Sequence, residues 1–537
     1  MFKTTARARD CLMKAPLMVA TLAGVGALVA AGPAWAGGIE LLGVGEMPGT
    51  ASDGLELQPP LLEDGKTPHD RVGGWGSAIA YTGVGSIYLA TPDRGPADGT
   101  TSYIDRAYLL DVSVTPGAAA PVTISLLRTT TLTNQDGALL VGTAAAFDAS
   151  NSTASRRLDP EGVRLTGDGN FFVSDEYGPF MYEFSPTGER LRSLNIPAKF
   201  LIAAPSADAA AELPPGNLSG RQANRGMEGL AISPDGTKLY GLMQNALIQD
   251  GALDAANKRV GLSARLLEID RASGATRELL YPLDTKGNGL NEIVAINDHE
   301  FLVIERDGDA GDLAKRKLIY KVDITGATDV SAIAALPTAG VVPGVVPVAK
   351  TLFIDLLDPA LGLKGPNFPE KIEGLAFGPR LADGRVTLLV TSDNDFSATA
   401  PTRVFAFALG ASAVPGFAPQ VLRPQIDVQP QVRHNVIHPG APGFVPVAIY
   451  GSALLPSRAF DIASLRLGGA QVVTIGPKKR PACARLDEND DGDDDLICVF
   501  DQREIVIPTG SSIIELEGAT STGTPLRAHD RARIVRD

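Results

Sequence analysis

Cysteine and histidine are scarce in this sequence. Among 537 residues there are three Cys and five His, and only His299 falls between residues 70 and 410. A zinc ribbon or an iron–sulfur site needs more thiols, and a histidine-ligated zinc site or a Ser-His-Asp triad needs more histidines. His299 lies in the polar run 297–300, and we interpret it as a turn residue rather than a catalytic base.

Two sequence signatures of phosphate chemistry are also missing. No Gly-rich loop leads into a helix, which argues against the usual nucleotide-binding sites. The phosphohistidine signature of the histidine phosphatases is absent as well.

Long apolar runs are confined to the N-terminus. An apolar stretch over residues 15–31 follows a basic segment and precedes the small-x-small run Ala34-Trp35-Ala36. This order predicts a signal peptide at residues 1–36, cleaved after Ala36. A retained membrane anchor is the alternative, but about 17 apolar residues are at the short edge for a span, and Gly24 and Gly26 interrupt them. We expect a secreted or periplasmic protein that makes no membrane contact after cleavage.

Positive charge is in deficit. The formal net charge is −14, and it becomes −17 when four basic residues and one acidic residue leave with the signal peptide. A chain this acidic repels nucleic acid and anionic membranes, so neither is expected as a partner. Clustered carboxylates in an exported protein can be neutralised by Ca²⁺, which prefers oxygen ligands. Simple solubility is the other interpretation of the charge.

Glycine and proline are abundant, with 58 and 39 residues, while aromatic residues make up only 6%. Short apolar runs separated by such turn residues favour an all-β architecture. About 500 residues exceed one ordinary core, so at least two domains are expected.

One pattern recurs between about residues 70 and 410. A Glu at the start of an apolar strand is followed by a turn and by a second apolar strand that ends in polar residues. The four glutamates, 67, 64 and 81 residues apart, are Glu161, Glu228, Glu292 and Glu373. A divergent first copy, beginning at Trp75, has Ser77 at the glutamate position.

This spacing predicts a β-propeller over residues 37–414. Two more strand-like runs follow each strand pair, so each unit forms a four-stranded blade that buries its faces against its neighbours. Five blades are visible and a sixth is possible. The last blade lacks an outer strand, which residues 39–44 could supply to close the ring. An array of β-sandwiches is the alternative, and it explains the placement of the glutamates less well.

The innermost strands of a propeller line its central channel, so the four glutamates are expected to converge there as candidate catalytic residues. Candidate metal ligands lie where the following strands end: Asp175, Glu176, Glu305, Asp393 and Asp395. Bases on the same pattern, candidates for binding a phosphate ester, are Arg94, Arg225, Arg306 and Lys371. Carboxylates that hold Ca²⁺ beside arginines that fork onto phosphate oxygens are typical of phosphate-ester sites. A structural role is equally open, with each Glu tying neighbouring blades together through backbone N–H groups.

At these motifs the chain resembles the phytase-like family, described as "esterase-like activity of phytase". The resemblance lies in the runs that contain Glu161, Asp175-Glu176, Arg225 to Glu228, Asn291-Glu292 and Glu373. It covers roughly residues 70–410 and implies phosphoesterase activity at the acidic residues. Together with the signal peptide and the channel carboxylates, it leads us to expect an exported, Ca²⁺-dependent phosphoric ester hydrolase, with phytate or another small organic phosphate as substrate. The alternative function is a non-catalytic propeller that binds a partner at the cell envelope.

A second domain is expected beyond a Pro-rich linker at residues 415–430. Strand-like runs at 445–451, 462–468 and 503–508 predict a small β-sandwich over residues 431–537. These runs resemble an accessory module of bacterial extracellular proteins.

This domain contains an acidic loop with candidate Ca²⁺ ligands at Asp487, Asn489, Asp491 and Asp495. Their spacing matches the start of a calcium loop, although Cys498 stands where the usual Glu is expected. A solvated acidic turn is the alternative. Cys483 and Cys498, the pair left after the signal peptide is removed, are expected to form a disulfide.

Overall fold

A computed structural model describes residues 38–148 and 155–536. The predicted signal peptide, residues 1–36, lies outside the described residues. Within the described ranges the regular structure is β-strand plus 3-10 helices of three residues each, and none of these helices could cross a membrane. The 3-10 helices are Trp75–Ser77, Ala144–Ala146, Ala198–Phe200, Ile248–Asp250, Gly311–Leu313, Pro359–Leu361, Ser457–Ala459, Ile462–Ser464 and Gln502–Glu504.

Five four-stranded antiparallel sheets form the first part of the chain. The N-terminal strand is β1 (Ile39–Met47). Blade 1 contains β2 (Ala78–Tyr81), β3 (Ile87–Thr91), β4 (Arg106–Val114) and β5 (Val122–Thr131). Blade 2 contains β6 (Pro160–Leu165), β7 (Phe171–Asp175), β8 (Phe180–Phe184) and β9 (Arg190–Ser193). Blade 3 contains β10 (Met227–Ile232), β11 (Lys238–Met243), β12 (Ser263–Asp270) and β13 (Thr276–Pro282). Blade 4 contains β14 (Gly289–Ala295), β15 (Glu300–Arg306), β16 (Lys317–Asp323) and β17 (Ala349–Asp355). Blade 5 contains β18 (Lys371–Arg380), β19 (Val386–Asp393), β20 (Thr402–Leu409) and β1.

The first strands of the five blades form a closed ring. Strand β2 contacts β6, which contacts β10, and the series continues through β14 and β18 back to β2. Every residue of β6 and β10 is buried, because each blade packs both faces against its neighbours. The fold is therefore a β-propeller, as predicted, and the described residues form five blades rather than six.

The ring is closed by the N-terminal strand. Strand β1 pairs antiparallel with β20, from Ile39 opposite Leu409 to Met47 opposite Thr402. The expectation that residues 39–44 supply the missing outer strand is confirmed.

The C-terminal residues form a small β-sandwich. Its strands are β21 (Ile426–Val428), β22 (Val436–Ile437), β23 (Phe444–Ile449), β24 (Arg466–Leu467), β25 (Ala470–Gln471), β26 (Thr474–Ile475), β27 (Arg480–Pro481), β28 (Cys483–Leu486), β29 (Asp495–Asp501), β30 (Ile513–Ala519), β31 (Pro525–Arg531) and β32 (Arg533–Ile534). One sheet has the order β21-β23-β29-β28, and the facing sheet has the order β25-β24-β30-β31. Both sheets contribute to one core, which includes Val447 and Phe500 from the first sheet and Leu467 and Leu516 from the second.

Several local expectations in this part of the chain need correction. Strand β21 lies inside the predicted linker, so the sandwich begins before residue 431. The run 503–508 was predicted as a strand, but it starts in a 3-10 helix because the Asp501 side chain caps the backbone N–H of Arg503. Residues 462–464 also form a 3-10 helix, and only Arg466–Leu467 of that run is a strand.

Candidate functional site

The glutamates of the repeat lie at irregularities of the inner strands. The register between inner and second strand shifts at Glu161, at Glu228, at Glu292 and at Glu373. A β-bulge of this kind turns a side chain out of the regular alternation, and bulges are common beside functional sites. The repeated sequence therefore places a carboxylate at the same height of four blades.

The glycine that follows three of these glutamates allows the inner strands to approach closely. A Cβ at Gly162 would lie 2.7 Å from the Leu230 side chain of the next blade, and one at Gly374 would lie 3.1 Å from the carbonyl oxygen of Gly76. Glu292 is followed by Ile293 instead. In each Glu-Gly pair the glycine thus allows close packing of the inner strands, and the glutamate at the bulge faces the channel.

A polar cavity of about 600 Å³ opens at this end of the channel. Residues from all five blades line it, including nine carboxylates and five bases. The acidic residues are Asp93, Asp98, Glu161, Glu176, Glu228, Asp307, Glu370, Glu373 and Asp395, and the bases are Arg94, Arg225, Arg259, Arg306 and Lys371. The excess of acidic side chains favours a cation inside the cavity.

Three of the four predicted glutamates line this cavity. Glu161 is buried and has no hydrogen bond or ion pair with any described residue. Glu228 accepts a hydrogen bond from Asn291 Nδ2 (2.8 Å) on Oε1, and its Oε2 has no partner. Glu373 Oε1 pairs with Arg306 (2.6 Å), and its Oε2 also lacks a partner. The cavity therefore contains buried acceptor oxygens without donors.

Burial and mutual repulsion make Glu161 and Glu228 hard to ionise. The pKa of Glu161 lies well above its ordinary value, first because of burial and then because of the charges of Glu228 and Asp159. The pKa of Glu228 is also raised well above its ordinary value, by burial and by the nearby Glu176 and Glu373. A bound cation would relieve this repulsion.

Glu292 is separated from the other three. Its side chain is fully buried outside the cavity lining, 3.0 Å from Arg164 Nη2, and it accepts backbone hydrogen bonds from Leu230 and Ile293. The prediction that all four glutamates share one site is corrected, because the Glu292 carboxylate ties blades 2, 3 and 4 together.

The predicted metal ligands of the propeller also fall into two groups, those in acidic clusters at the cavity and those outside it. Glu176 lines the cavity, and one of its oxygens lies within 4.8 Å of oxygens of Asp159 and Glu161. Asp393 and Asp395 form a second such cluster with Asp93.

Asp175 and Glu305 lie outside the cavity lining. Asp175 accepts hydrogen bonds from the backbone N–H groups of Asp159 and Tyr177, and burial raises its pKa to about 7. Glu305 pairs with Lys350 (2.8 Å). Both carboxylates were predicted as metal ligands of the cavity, and the structure places neither of them there.

All four predicted bases line the cavity. Arg94 binds Asp159 through its backbone N–H (3.0 Å) and through Nη1 (2.5 Å). Lys371 lies 2.9 Å from Asp393 and also pairs with Asp395. Arg225 pairs with Glu176 (3.1 Å). The cavity lining therefore includes members of both acidic clusters and the bases that pair with them.

The family comparison agrees with this arrangement. A family model described as phytase-like, esterase-like activity of phytase, matches residues 70–396. The chain belongs to the phytase-like family. The match spans the region from just before blade 1 to the second cluster of aspartates, so the family region contains the cavity.

Three similar proteins share between 12% and 31% sequence identity with this chain. An uncharacterized secreted protein of Arthroderma benhamiae is 31% identical over 320 residues, and the match covers 46% of this chain and 61% of that protein. Among solved structures, a gluconolactonase from Xanthomonas campestris has 13% identity and a TM-score of 0.25, covering 61% of this chain and 92% of its own. The calcium-binding protein regucalcin from Agrobacterium tumefaciens has 12% identity and a TM-score of 0.26, with the same two coverages. The propeller fold of this phytase-like chain is shown by its own five sheets and by the ring of their inner strands.

Several cavity residues were not predicted from the sequence. Three of them lie next to residues of the repeated glutamate pattern, where a strand end or a bulge could have indicated them: Asp93, Asn291 and Asp159. Arg259 comes from the loop between β11 and β12, outside the repeated pattern, and no sequence signal indicates it.

The acidic loop of the sandwich is held by its own backbone. Asp487 accepts hydrogen bonds from the N–H groups of Asp491 and Gly492, and Asn489 donates to Asp491 (2.8 Å). Asp495 is fully buried, and its two oxygens accept from the N–H groups of Gly451 and Glu488. Both oxygens of Asp495 therefore bind backbone N–H groups. Calcium binding by Asp487, Asn489 and Asp491 stays a prediction.

A disulfide joins Cys483 and Cys498 beside this loop. The two residues lie opposite each other on β28 and β29, so the bond links neighbouring strands of one sheet.

Proposed function

We propose that this member of the phytase-like family is an exported, metal-dependent phosphoesterase that acts at the propeller cavity. The observation that carries the proposal is the set of buried acceptor oxygens without donors that line one cavity together with five bases. Buried polar groups are nearly always satisfied, so such a set points to a group absent from the protein itself.

The acceptors are of the kind that a hard cation prefers. Oε2 of Glu228, Oε2 of Glu373 and Oδ1 of Asn291 are buried and unpaired, and the Glu161 carboxylate faces the same cavity. Ca²⁺ takes six to eight oxygen ligands from carboxylates, amides and water. We propose that a cation in the cavity takes its ligands from these oxygens and from the cluster of Asp159, Glu161 and Glu176, whose oxygens lie within 4.8 Å of one another.

When bound, such a cation supplies charge neutralisation and polarisation at a phosphoryl oxygen. The side chains of the protein have separate tasks. Arg225 and Lys371 present positive charge toward the cavity at 28% and 22% side-chain exposure, and they are positioned to orient the anionic substrate.

The sequence and the relative support an exported location. Residues 1–36 have the pattern of a signal peptide, and the similar protein of Arthroderma benhamiae is described as secreted. Periplasm or medium is the proposed location, and a small organic phosphate ester is the proposed substrate.

A second candidate function is a binding propeller without catalysis. It is favoured by the pairing of Arg94, Arg306 and Lys371 with carboxylates, which leaves their charges partly neutralised. The pairs of Arg94 and Arg306 join neighbouring blades, as expected of a purely structural arrangement.

The deciding experiment measures phosphate release by residues 37–537 from a panel of phosphate esters, with Ca²⁺ and with chelator. The test variant is Glu161→Gln with Glu228→Gln, and the control is Glu189→Gln, which removes one exposed carboxylate on the outer strand side of blade 2. We expect Ca²⁺-dependent release in the wild type and the control, and a loss of about 100-fold or more in the double variant. Calorimetric titration with Ca²⁺ alone gives a second readout, in which only the double variant should lose binding. Folded protein that neither binds Ca²⁺ nor releases phosphate would favour the binding propeller.

A further inference from the structure

Three arginines meet on one wall of the cavity. Arg225 precedes β10, Arg259 lies between β11 and β12, and Arg306 ends β15. All three therefore come from blades 3 and 4, whereas the two acidic clusters come from blades 1, 2 and 5. The three arginines therefore come from other blades than the two acidic clusters.

The three guanidinium groups differ in their partners. Arg225 lies 3.1 Å from Glu176, and Arg306 lies 2.6 Å from Glu373. Arg259 donates only to the neutral Oδ1 of Asn245 (3.3 Å), and no carboxylate of the described residues lies within 4.0 Å of it. Among the five bases that line the cavity, Arg259 alone lacks an acidic partner in the described chain.

The loop that contains Arg259 is held by a β-bridge and by several hydrogen bonds. Leu253 and Arg259 form an antiparallel bridge, and Asp254 accepts hydrogen bonds from the backbone N–H groups of Ala256 and Lys258. Asn257 donates to the carbonyl oxygen of Pro214 (3.0 Å), which anchors the loop to its neighbour. Arg259 is thus held at the cavity by its backbone, and holding an arginine in advance lowers the entropy lost when it binds a ligand.

The surroundings of Arg259 disfavour its charge in the absence of an anion. The Arg259 residue is exposed, and partial desolvation together with the neighbouring charges of Arg225 and Arg306 lowers its pKa, which Glu176 offsets only in part. The cavity that the three arginines line has a volume of about 600 Å³. Room for a ligand therefore exists beside the three positive groups.

We propose that Arg259, together with Arg225 and Arg306, forms an oxyanion-binding subsite that holds a phosphate group at the mouth of the cavity. Forked guanidinium groups match the oxygens of a phosphate, and three of them complement a tetrahedral anion better than a planar carboxylate. That the bound phosphate group belongs to a substrate rests on the proposed function. The binding of a phosphate anion by itself does not. Arg259 is a positioning residue, separate from the acidic ligands across the cavity.

The test is a calorimetric titration of the full mature chain with inorganic phosphate, and with acetate, in buffer free of divalent cations. The variants are Arg259→Met and Arg259→Lys. The matched control is Lys258→Met, which removes the same charge from the neighbouring exposed residue outside the cavity lining. We expect one phosphate per chain, weakened about tenfold or more in Arg259→Met, less in Arg259→Lys, and unchanged in Lys258→Met. Acetate should bind more weakly than phosphate.

Equal phosphate affinity in the wild type and Arg259→Met would overturn the subsite, as would the absence of saturable binding by the wild type. Tighter binding of acetate would overturn the assignment to phosphate. If the protein hydrolyses phosphate esters, Arg259→Met should raise KM and leave kcat nearly unchanged. Because the titration needs neither turnover nor a metal ion, phosphate binding without hydrolysis would refute the proposed function and keep the subsite.

Discussion

The side chain of Arg164 closes the propeller channel. Its guanidinium group donates to the carbonyl oxygens of Ile79 (3.0 Å), Ile293 (2.7 Å) and Leu375 (3.4 Å), which belong to blades 1, 4 and 5. Its charge is balanced by Glu292 at 3.0 Å. One arginine of blade 2 thus joins inner strands from three other blades, at the level where the polar cavity ends.

This buried pair leads to a prediction about stability. Replacing Glu292 with Gln places an amide in front of a buried guanidinium group, and removing one partner of a buried ion pair costs about 3–5 kcal/mol. We expect the free energy of unfolding of Glu292→Gln to fall by about that amount in urea denaturation.

The matched control is an exposed pair of the same propeller. Lys315 and Asp309 are 76% and 41% exposed, so Asp309→Asn should change the free energy of unfolding by no more than about 1 kcal/mol. Equal effects of the two substitutions would show that Glu292 is not a tie between the blades.

At the scale of the element, the repeated Glu-Gly pair made the propeller predictable. Alternating strands and turns, the even spacing of the glutamates and the unpaired last strand led to five blades, and residues 39–44 were correctly identified as the closing strand. The inward placement of Glu161, Glu228 and Glu373 followed from the same pattern.

The remaining site residues depend on contacts that no local pattern encodes. Glu292 has the same repeat position, but Arg164 of another blade takes its carboxylate out of the cavity. Arg259 reaches the cavity from a loop outside the repeat, so only the tertiary arrangement places it there. In the sandwich, a side-chain cap at Asp501 replaced a predicted strand by a 3-10 helix.

Strand β1 gives a prediction at this scale. Its removal would leave one edge of β20 unpaired, while the other edge stays paired with β19, and would expose the edge beside Phe405 and Phe407 of the blade 5 core. A chain that begins at residue 48 should unfold at a lower temperature and aggregate more readily in thermal scans with light scattering. A synthetic peptide of residues 38–47, added in excess, should restore part of the stability, and a scrambled peptide should not. No difference between the truncated and mature chains would contradict a closing role for β1.

At the scale of the whole molecule, the two ends of the channel differ in chemistry. The far end is an apolar pocket lined by inner-strand residues such as Leu165 and Ile232 and covered by segments 417–420 and 522–524. The sandwich is attached there through Thr520, which donates to the carbonyl oxygen of Gly83 (3.0 Å), and Gln420, which donates to that of Leu165 (2.6 Å). With this end covered and Arg164 across the middle, a ligand of the acidic cavity enters from the opposite face.

The acidic cavity makes stability depend on both pH and cations. Because the folded pKa of Asp93 is raised to about 6, mainly by burial, this carboxyl group binds more protons in the folded than in the unfolded state between about pH 4 and about pH 6. Glu161 and Glu228 are shifted in the same direction. Without divalent cations, stability should therefore fall as the pH rises from about 4 through about 6 and beyond.

Protons and a cation compete for the same oxygens, so Ca²⁺ should stabilise the protein more at about pH 7.5 than at about pH 5. At 100 times the Kd the expected gain is about 2.7 kcal/mol at the higher pH, measured by thermal unfolding with Ca²⁺ and with chelator. Glu161→Gln with Glu228→Gln should abolish most of this gain and flatten the pH dependence. Asp487→Asn, which alters the acidic loop of the sandwich, separates the two candidate sites: a gain lost in this variant but kept in the double variant would place the cation in the sandwich instead of the propeller.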